Sequence, residues 1–210
     1  DDHCISRADD IAPRLRRGLM NFLVECTGRR GQLPPLLDRY RDAGLPTRRA
    51  SLTTDNNTAM DIVSNGFGFM DYLVQLALRA GLPPIEVWRM ASLNPAEHYR
   101  LSGQIGGLGI GRHADILLTS GPAVFPPEQV YVGGRLVAER GEMVVDVPKS
   151  RFPASYRQTV CLPQFAAVDL AIKARDGSAR LRVIDIRDGD AFNDAAEADM
   201  GVENGGVQPD

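Results

Sequence analysis

The sequence predicts an α/β protein whose first half alternates helices with a buried strand and whose second half is built from short strands. Apolar residues recur at helical spacing from Ala8 to about Ala80. The run Ala50–Thr54 is short and β-branched at its end, which is typical of a buried strand. From Gly103 onward, glycines separate short runs of strand-forming residues. Because parallel strands need a helix to carry the chain back, the first half has the element order of a parallel sheet or barrel.

Two helices are predicted ahead of that strand. The first begins after Ser6, with Asp9 and Asp10 in its first turn, because five apolar residues fall on one helical face. The second covers Gln32–Ala43 and ends at Gly44, where a helix commonly stops. The apolar positions are Ile11, Leu15, Leu19, Phe22 and Leu23 in the first helix and Leu33, Leu36, Leu37 and Tyr40 in the second.

Three further helices are predicted after the strand. One covers Met70–Arg79. The next covers Ile85–Leu93 and is opened by Pro84, since proline is tolerated in the first turn of a helix. Asn94 is predicted to cap the third helix, which has Pro95 at its first position.

The second half is predicted to contain hairpins and a linker. Pro148–Pro163 carries several prolines and is interpreted as the linker. The last 20 or so residues are acidic and rich in Gly and Ala, and they contain no strong core signal. The predicted strands are Ala114–Leu118, Gln129–Val132, Arg135–Ala138, Val168–Ala174 and Arg180–Ile186.

Composition restricts the classes of function. Of 210 residues, 43% are hydrophobic and 24% are charged, which is typical of a soluble globular protein. The net charge of −3 and the lack of a long basic stretch argue against nucleic acid as a partner. No apolar run is long enough for a membrane helix and no signal peptide is visible, so we expect a cytoplasmic protein with no membrane partner. Three widely spaced cysteines predict reduced thiols.

Four polar residues are candidates for chemistry. His98 lies on a predicted surface helix and His113 lies in a Gly-Arg-His turn, and both are interpreted as ordinary polar residues. His3 lies near the start of the chain, and without further information this position favours a disordered terminus. Asp55 directly follows the predicted strand, where the carboxyl ends of parallel strands gather ligands. On residue chemistry alone, a role as the N-cap of the next helix explains Asp55 as well as a ligand-binding role does.

Five segments, in this order and at this spacing, resemble the amidohydrolase superfamily. They are Thr53–Asp55, Gly68–Asp71, Met90–Ala96, Gly109–Ile116 and Val130–Ala138. Within the superfamily, the sequence most resembles the adenine deaminase family. That family carries an Asp-His pair at barrel strand six, here Asp2-His3, and continues past a small β domain into a further C-terminal domain.

The resemblance implies an α/β fold with three parts. Residues 1–102 would be the C-terminal part of an incomplete (β/α)8 TIM-type barrel, about strands 6–8. Residues 103–148 would form a small β-sandwich-like domain, and residues 149–210 a linker and the start of a C-terminal α+β domain. A complete barrel needs roughly 250 residues. We therefore expect a part of a longer protein, in which the remaining N-terminal barrel portion is a partner and the first two helices lack some of their packing neighbours. We also expect a homo-oligomer.

The resemblance also implies a metal site. His3 matches the strand-six histidine that binds metal, and Asp55 matches the strand-eight aspartate that binds metal and moves protons. The implied cofactor is a divalent metal, Mn, Fe or Zn, binuclear in the intact protein, because imidazole and carboxylate suit all three. The family's ligands on strands one, four and five have no counterpart here, and a catalytic site needs three or more protein ligands. The isolated chain is therefore expected to be inactive.

The implied reaction is hydrolytic deamination of adenine, or of a related purine-like small molecule, to hypoxanthine and ammonia. A cyclic amide hydrolase of the hydantoinase or dihydroorotase kind and a non-catalytic degenerate barrel are the alternatives. Several expected barrel-mouth positions depart from the adenine deaminase pattern. The departures are Cys4 for Glu, Val24–Thr27 for Arg-Glu-Gly-Ser, Asn56 for Asp and Phe69 for His. They leave a related cyclic amidine or amide open as the substrate.

Overall fold

A computed structural model describes residues 3, 5–63, 68–149, 151–157, 159–164, 170–175, 177–186 and 193–208. These residues fall into two compact units, which divide between Asp146 and Val147. Both helices and strands are present, so the fold is mixed α/β, as predicted. In the described ranges, no helix combines the length and the apolar character needed to cross a membrane.

The first unit begins with a βαβ arrangement. Strand β1 and strand β2 pair in parallel, with Leu23 opposite Leu52. The elements are α1 (Ile11–Arg16), β1 (Asn21–Val24), α2 (Leu33–Asp42), β2 (Ala50–Thr53), α3 (Ala59–Val63), α4 (Met70–Arg79), α5 (Pro84–Ala91) and α6 (Leu93–His98). The predictions of α2, β2, α4 and α5 are confirmed, each to within two residues at either end.

The prediction of a long first helix was wrong at its C-terminal end. Helix α1 stops at Arg16, and Gly18 has a φ of +74°, which turns the chain out of the helix. Phe22 and Leu23 lie instead on β1, whose four residues are all buried. A strand buried on both faces has no alternating polar residues, so its apolar run extends a helical pattern without a visible break.

The helices cover one face of the β1–β2 pair and form the core with it. Helix α2 buries all four of its predicted apolar residues, and Ile11 of α1 is 0% exposed. The expectation that the first two helices lack packing neighbours was therefore wrong for these residues. Their neighbours lie within the chain itself, on β1, β2 and α4. The core residues of these elements are Leu23, Leu33, Leu36, Leu37, Tyr40, Leu52, Leu73, Val74 and Ala77.

Asn94 connects α6 to the start of β2. The prediction that it caps α6 was wrong, because Ser92 occupies the position before the helix. Asn94 is buried, and its Nδ2 donates to the carbonyl oxygens of Thr47 and Ala50 at 2.8 Å each. Since the Ala50 carbonyl lies at the first residue of β2, this amide fixes the strand at the end opposite Asp55.

The rest of the first unit is a four-stranded antiparallel sheet. Its strands, in spatial and chain order, are β3 (Ile116–Leu118), β4 (Gln129–Val132), β5 (Arg135–Glu139) and β6 (Glu142–Met143). The hairpin predictions here are confirmed, and the described residues form one sheet in place of the expected sandwich. Trp88 of α5 packs against this region: its Nε1 donates to the Pro122 carbonyl at 2.7 Å, and its ring lies 6.0 Å from that of Phe125.

The second unit contains the antiparallel strands β7 (Gly177–Asp185), β8 (Asp194–Glu203) and β9 (Gly206–Val207). Strand β7 was predicted, whereas β8 was not, because its segment was interpreted as lacking a strong core signal. Its more buried residues alternate with exposed ones, so the period of two is present in the sequence, although two of the four apolar positions are only alanine. The more buried residues are Ala196, Ala198, Met200 and Val202, and the exposed ones are Glu197, Asp199, Gly201 and Glu203. Of the predicted strand Val168–Ala174, residues 168 and 169 lie outside the described residues, and Lys173 forms only an isolated bridge with Gly206. The described residues of this unit include no α-helix, so the expected α+β character is not seen there.

Candidate active site

A cavity of about 440 Å³ lies beside the β1–β2 pair, on the side away from Leu23 and Leu52. Because side chains alternate along a strand, Leu23 and Leu52 face the helical core while their neighbours face the opposite side. Phe22 and Val24 of β1 and Thr53 of β2 therefore line the cavity. The remaining lining residues are His3, Thr54, Asp55 and Tyr99.

Asp55 lies two residues beyond the carboxyl end of β2 and is exposed to the cavity. Its backbone oxygen accepts a hydrogen bond from the Asn57 amide at 2.8 Å. Thr58, and not Asp55, caps the following helix, since the Thr58 Oγ1 accepts from the Asp61 amide of α3 at 3.2 Å. The capping interpretation of Asp55 is therefore wrong.

His3 lines the same cavity as Asp55 and is exposed. Its backbone carbonyl accepts a hydrogen bond from the guanidinium of Arg29, a residue that is itself buried. This bond holds the start of the chain against the loop that follows β1. The other member of the predicted pair, Asp2, and the substituted residue Cys4 lie outside the described residues.

The side chains of His3 and Asp55 are of the types that bind divalent cations, but two ligands are too few for a catalytic metal site. Imidazole and carboxylate are ordinary ligands of Mn, Fe and Zn. Over the described ranges, however, no group of three or more His, Cys, Asp or Glu side chains is placed to hold a metal. A catalytic site takes three or more protein ligands. These two residues are therefore a candidate part of a metal site.

Glu25, which matches the family's acid at this position, has a structural role in the loop after β1. Its carboxylate accepts hydrogen bonds from the amides of Gly31, at 2.6 Å, and Leu33, at 2.8 Å, and so anchors the start of α2. Burial raises the pKa of Glu25, and these two N–H groups oppose the increase. Because both oxygens are engaged with α2 and its preceding turn, Glu25 does not reach the cavity.

Cys26 is buried behind the same loop. Burial raises the pKa of its thiol, the amide of Gly28 opposes the increase, and the Asp55 carboxylate adds to it. The thiol form is therefore favoured at neutral pH, and Cys26 lacks the thiolate that a nucleophile needs. Cys26 and Cys161 are free cysteines, as predicted.

A hydrogen-bond network joins the loop after β1 to the loop that carries Asp55. The Thr27 and Thr58 hydroxyls donate to Asp61 Oδ2 at 2.6 and 2.9 Å, and Arg30 pairs with Asp61 Oδ1 at 2.5 Å. The Thr58 amide donates to Thr27 Oγ1 at 2.9 Å, and the Thr27 amide donates to Asn57 Oδ1 at 3.2 Å. Sequence reasoning missed this network, although Thr58-x-x-Asp61 has capping-box spacing and could have indicated the Thr58 cap.

The other candidate and substituted positions are not among the residues that line this cavity. His98 packs edge-to-face against Phe22 and Tyr99, with ring centroids 5.5 and 5.0 Å apart. His113 lines a separate, largely apolar cavity of about 600 Å³ in the first unit. The substituted residues Asn56 and Phe69 are exposed, and neither is among the lining residues of the Asp55 cavity.

Comparison with known proteins identifies the family. The amidohydrolase family matches residues 5–137. Adenine deaminase 3 of Rhizobium meliloti is 34% identical over 212 residues, which cover 100% of this chain and 35% of that protein. An adenine deaminase of Mesorhizobium japonicum is 33% identical, again over 100% of this chain and 35% of the relative. The chain therefore spans about a third of the length of these relatives.

Among solved structures, a β-aspartyl dipeptidase from Fervidobacterium islandicum AW-1 has a TM-score of 0.50 and 19% sequence identity. The match covers 70% of this chain and 40% of that one. At this identity the likeness concerns the fold alone, and it agrees with the parallel βαβ arrangement of β1, α2 and β2. By the match to residues 5–137, the chain belongs to the amidohydrolase family.

Proposed function

We propose that the protein containing this chain hydrolytically deaminates a purine-like base, adenine to hypoxanthine and ammonia, with a divalent metal. The observation that carries the proposal is the shared cavity of His3 and Asp55 beyond β2. Similarity to adenine deaminases over the whole chain supports this reaction class.

In this proposal, β1 and β2 are strands seven and eight of a barrel, and His3 lies at the end of strand six. The barrel part comprises residues 1–102, the small β domain residues 103–148, and the third part residues 149–210. The N-terminal barrel portion supplies the other metal ligands. The cavity beside the carboxyl ends of β1 and β2 supports such a division.

His3 and Asp55 would hold the cation, with Mn, Fe and Zn as the candidates. A bound divalent cation supplies a water whose pKa is lowered toward neutrality. Asp55 would take up the proton that the attacking water loses when its oxygen adds to the amidine carbon of the base. Asp55 then passes the proton to the exocyclic nitrogen, the C–N bond breaks, and ammonia leaves.

The test uses the intact protein, purified without chelator. Ammonia release from adenine is measured beside ring opening of hydantoin and dihydroorotate, and Mn, Fe and Zn contents are measured in the same preparation. We expect ammonia from adenine or a related amidine and close to one equivalent of metal or more. Ring opening without ammonia release would support a cyclic amide hydrolase. A metal content below about one tenth of an equivalent would support a non-catalytic barrel.

A further inference from the structure

The loop that carries Asp55 is fixed by a buried carboxylate that does not line the cavity. Asp61 is 2% exposed and lies on α3, and the cavity lining does not include it. We infer that Asp61 is a positioning residue that holds Asp55 in place for proton transfer, through the hydroxyls of Thr27 and Thr58. This inference rests on the proposed function.

The hydroxyl protons of Thr27 and Thr58 both point to Asp61. Each threonine hydroxyl has one proton, and both donate it to Asp61 Oδ2. With the protons committed, the hydroxyl oxygens are free to accept. Thr27 Oγ1 accepts from the Thr58 amide at 2.9 Å, and Thr58 Oγ1 accepts from the Asp61 amide at 3.2 Å. Asp61 thereby fixes the direction of both hydroxyl groups.

Asp55 is only two or three residues along the chain from Asn57 and Thr58, which take part in this network. The Asn57 amide donates to the Asp55 carbonyl at 2.8 Å, and the Asn57 side chain accepts from the Thr27 amide. Two hydrogen bonds therefore join segment 55–58 to Thr27, which follows β1. The two strand ends are held as one unit, with Asp55 at its exposed edge.

The charge of Asp61 suits a position in which both carboxyl oxygens face hydrogen-bond donors. Its second oxygen, Oδ1, pairs with Arg30 at 2.5 Å. Both oxygens of the carboxylate therefore accept hydrogen bonds. An asparagine here would have one oxygen and one amide nitrogen. If its oxygen accepted from the two hydroxyls, its NH₂ group would face the Arg30 guanidinium, donor against donor. The arrangement therefore requires a carboxylate.

The test compares Asp61→Asn and Thr27→Val with the matched variant Thr27→Ser in the intact protein. Valine keeps the shape of Thr27 and removes its hydroxyl, while serine keeps the hydroxyl. We expect Asp61→Asn and Thr27→Val to lower kcat for ammonia release about 10- to 100-fold with little change in KM, because small displacements of a reacting group have effects of this size. Thr27→Ser is expected to stay near the wild-type kcat.

Two further measurements separate positioning from a merely structural role. In an Asp55→Asn background, Thr27→Val should lower kcat no further, since there is no proton carrier left to position. In hydrogen exchange, peptides covering residues 25–31 and 55–63 should exchange faster in Thr27→Val and Asp61→Asn, while those covering α2 remain unchanged. Urea unfolding of each variant shows that it is folded. If Asp61→Asn does not fold, Thr27→Val carries the same test.

The outcomes distinguish this inference from the proposed function. A wild-type protein that releases no ammonia from any purine overturns the proposed function, and this inference with it. An active wild type whose kcat is unaffected by Thr27→Val overturns the inference alone. So does an equal loss of kcat from Thr27→Val with and without the Asp55 carboxylate, or unchanged exchange in both loops.

Discussion

The two faces of the β1–β2 pair differ in what they contact. One face is covered by helices and carries Leu23 and Leu52, both 3% exposed or less. The other face opens onto a cavity whose polar residues include His3 and Asp55. Substitutions on the covered face should therefore change the free energy of unfolding, and those at the cavity should change catalysis.

The largest effect is expected from Asp55→Asn. Asparagine keeps the shape and an oxygen ligand but cannot carry the proton, so kcat for ammonia release should fall about 10² to 10⁴-fold in the intact protein. Unfolding should change little, because Asp55 is exposed. Steady-state kinetics and metal analysis of the same preparation check this.

Asn56→Asp is the control for that variant. It restores the family's pair of aspartates, and it should change KM or substrate preference more than metal content. A near-normal kcat in Asp55→Asn with full metal content would remove Asp55 from the proton transfer.

Leu37→Ala should have the largest effect on stability. Leu37 is 0% exposed, and the cavity left by a truncated core leucine costs about 2–5 kcal/mol. Leu108→Ala is the control, since Leu108 is 77% exposed and surface changes stay within about 0.5 kcal/mol. Urea unfolding measures both variants. Equal losses would contradict the placement of the core on the helical face.

Alkaline pH should destabilise the same core through Tyr40. Burial raises the pKa of Tyr40 from its ordinary 10 to about 12, and a hydrogen bond donated by Asn21 opposes this. Between pH 10 and 12 the unfolded chain loses the Tyr40 proton while the folded protein keeps it. The stability from this group is complete below pH 10 and lost as pH rises through 12, roughly 3 kcal/mol for two pKa units.

Unfolding free energies across this pH range check the prediction. Tyr40→Phe should flatten the decline, whereas Tyr99→Phe should not, because Tyr99 is 61% exposed. An unchanged slope in Tyr40→Phe would mean that another group causes the alkaline loss.

The smallest of these effects is expected from Glu25→Gln. Glutamine places an NH₂ group against the amide of either Gly31 or Leu33, and an unsatisfied buried donor costs about 1–3 kcal/mol. Glu142→Gln on exposed β6 is the control and should be near neutral. Urea unfolding compares the two, and equal stability of Glu25→Gln and wild type would mean that Glu25 does not anchor α2.

Sequence reasoning predicted the covered face better than the loops beyond the strands. Helix α2 is predictable because Leu33, Leu36, Leu37 and Tyr40 have the helical period by themselves. Strand β1 is not predictable in this way, because all four of its residues are buried and polar residues do not alternate with apolar ones along it. The role of Asp61 depends on Thr27, which is 34 residues away, and no local pattern encodes that distance. His3 was identified as a candidate through resemblance, since its position in the chain alone favoured a disordered terminus.

The contact between Trp88 and the Pro122 carbonyl gives the protein a built-in optical reporter. Trp88 is the single tryptophan of the chain, so its emission comes from one place. That place is the junction where α5 meets the segment leading to β4, with Phe125 beside the indole ring. A shift of tryptophan emission to longer wavelength would therefore mark separation of the β3–β6 sheet from the helices. Far-ultraviolet circular dichroism, followed on the same samples, would show whether that separation precedes loss of the helices themselves.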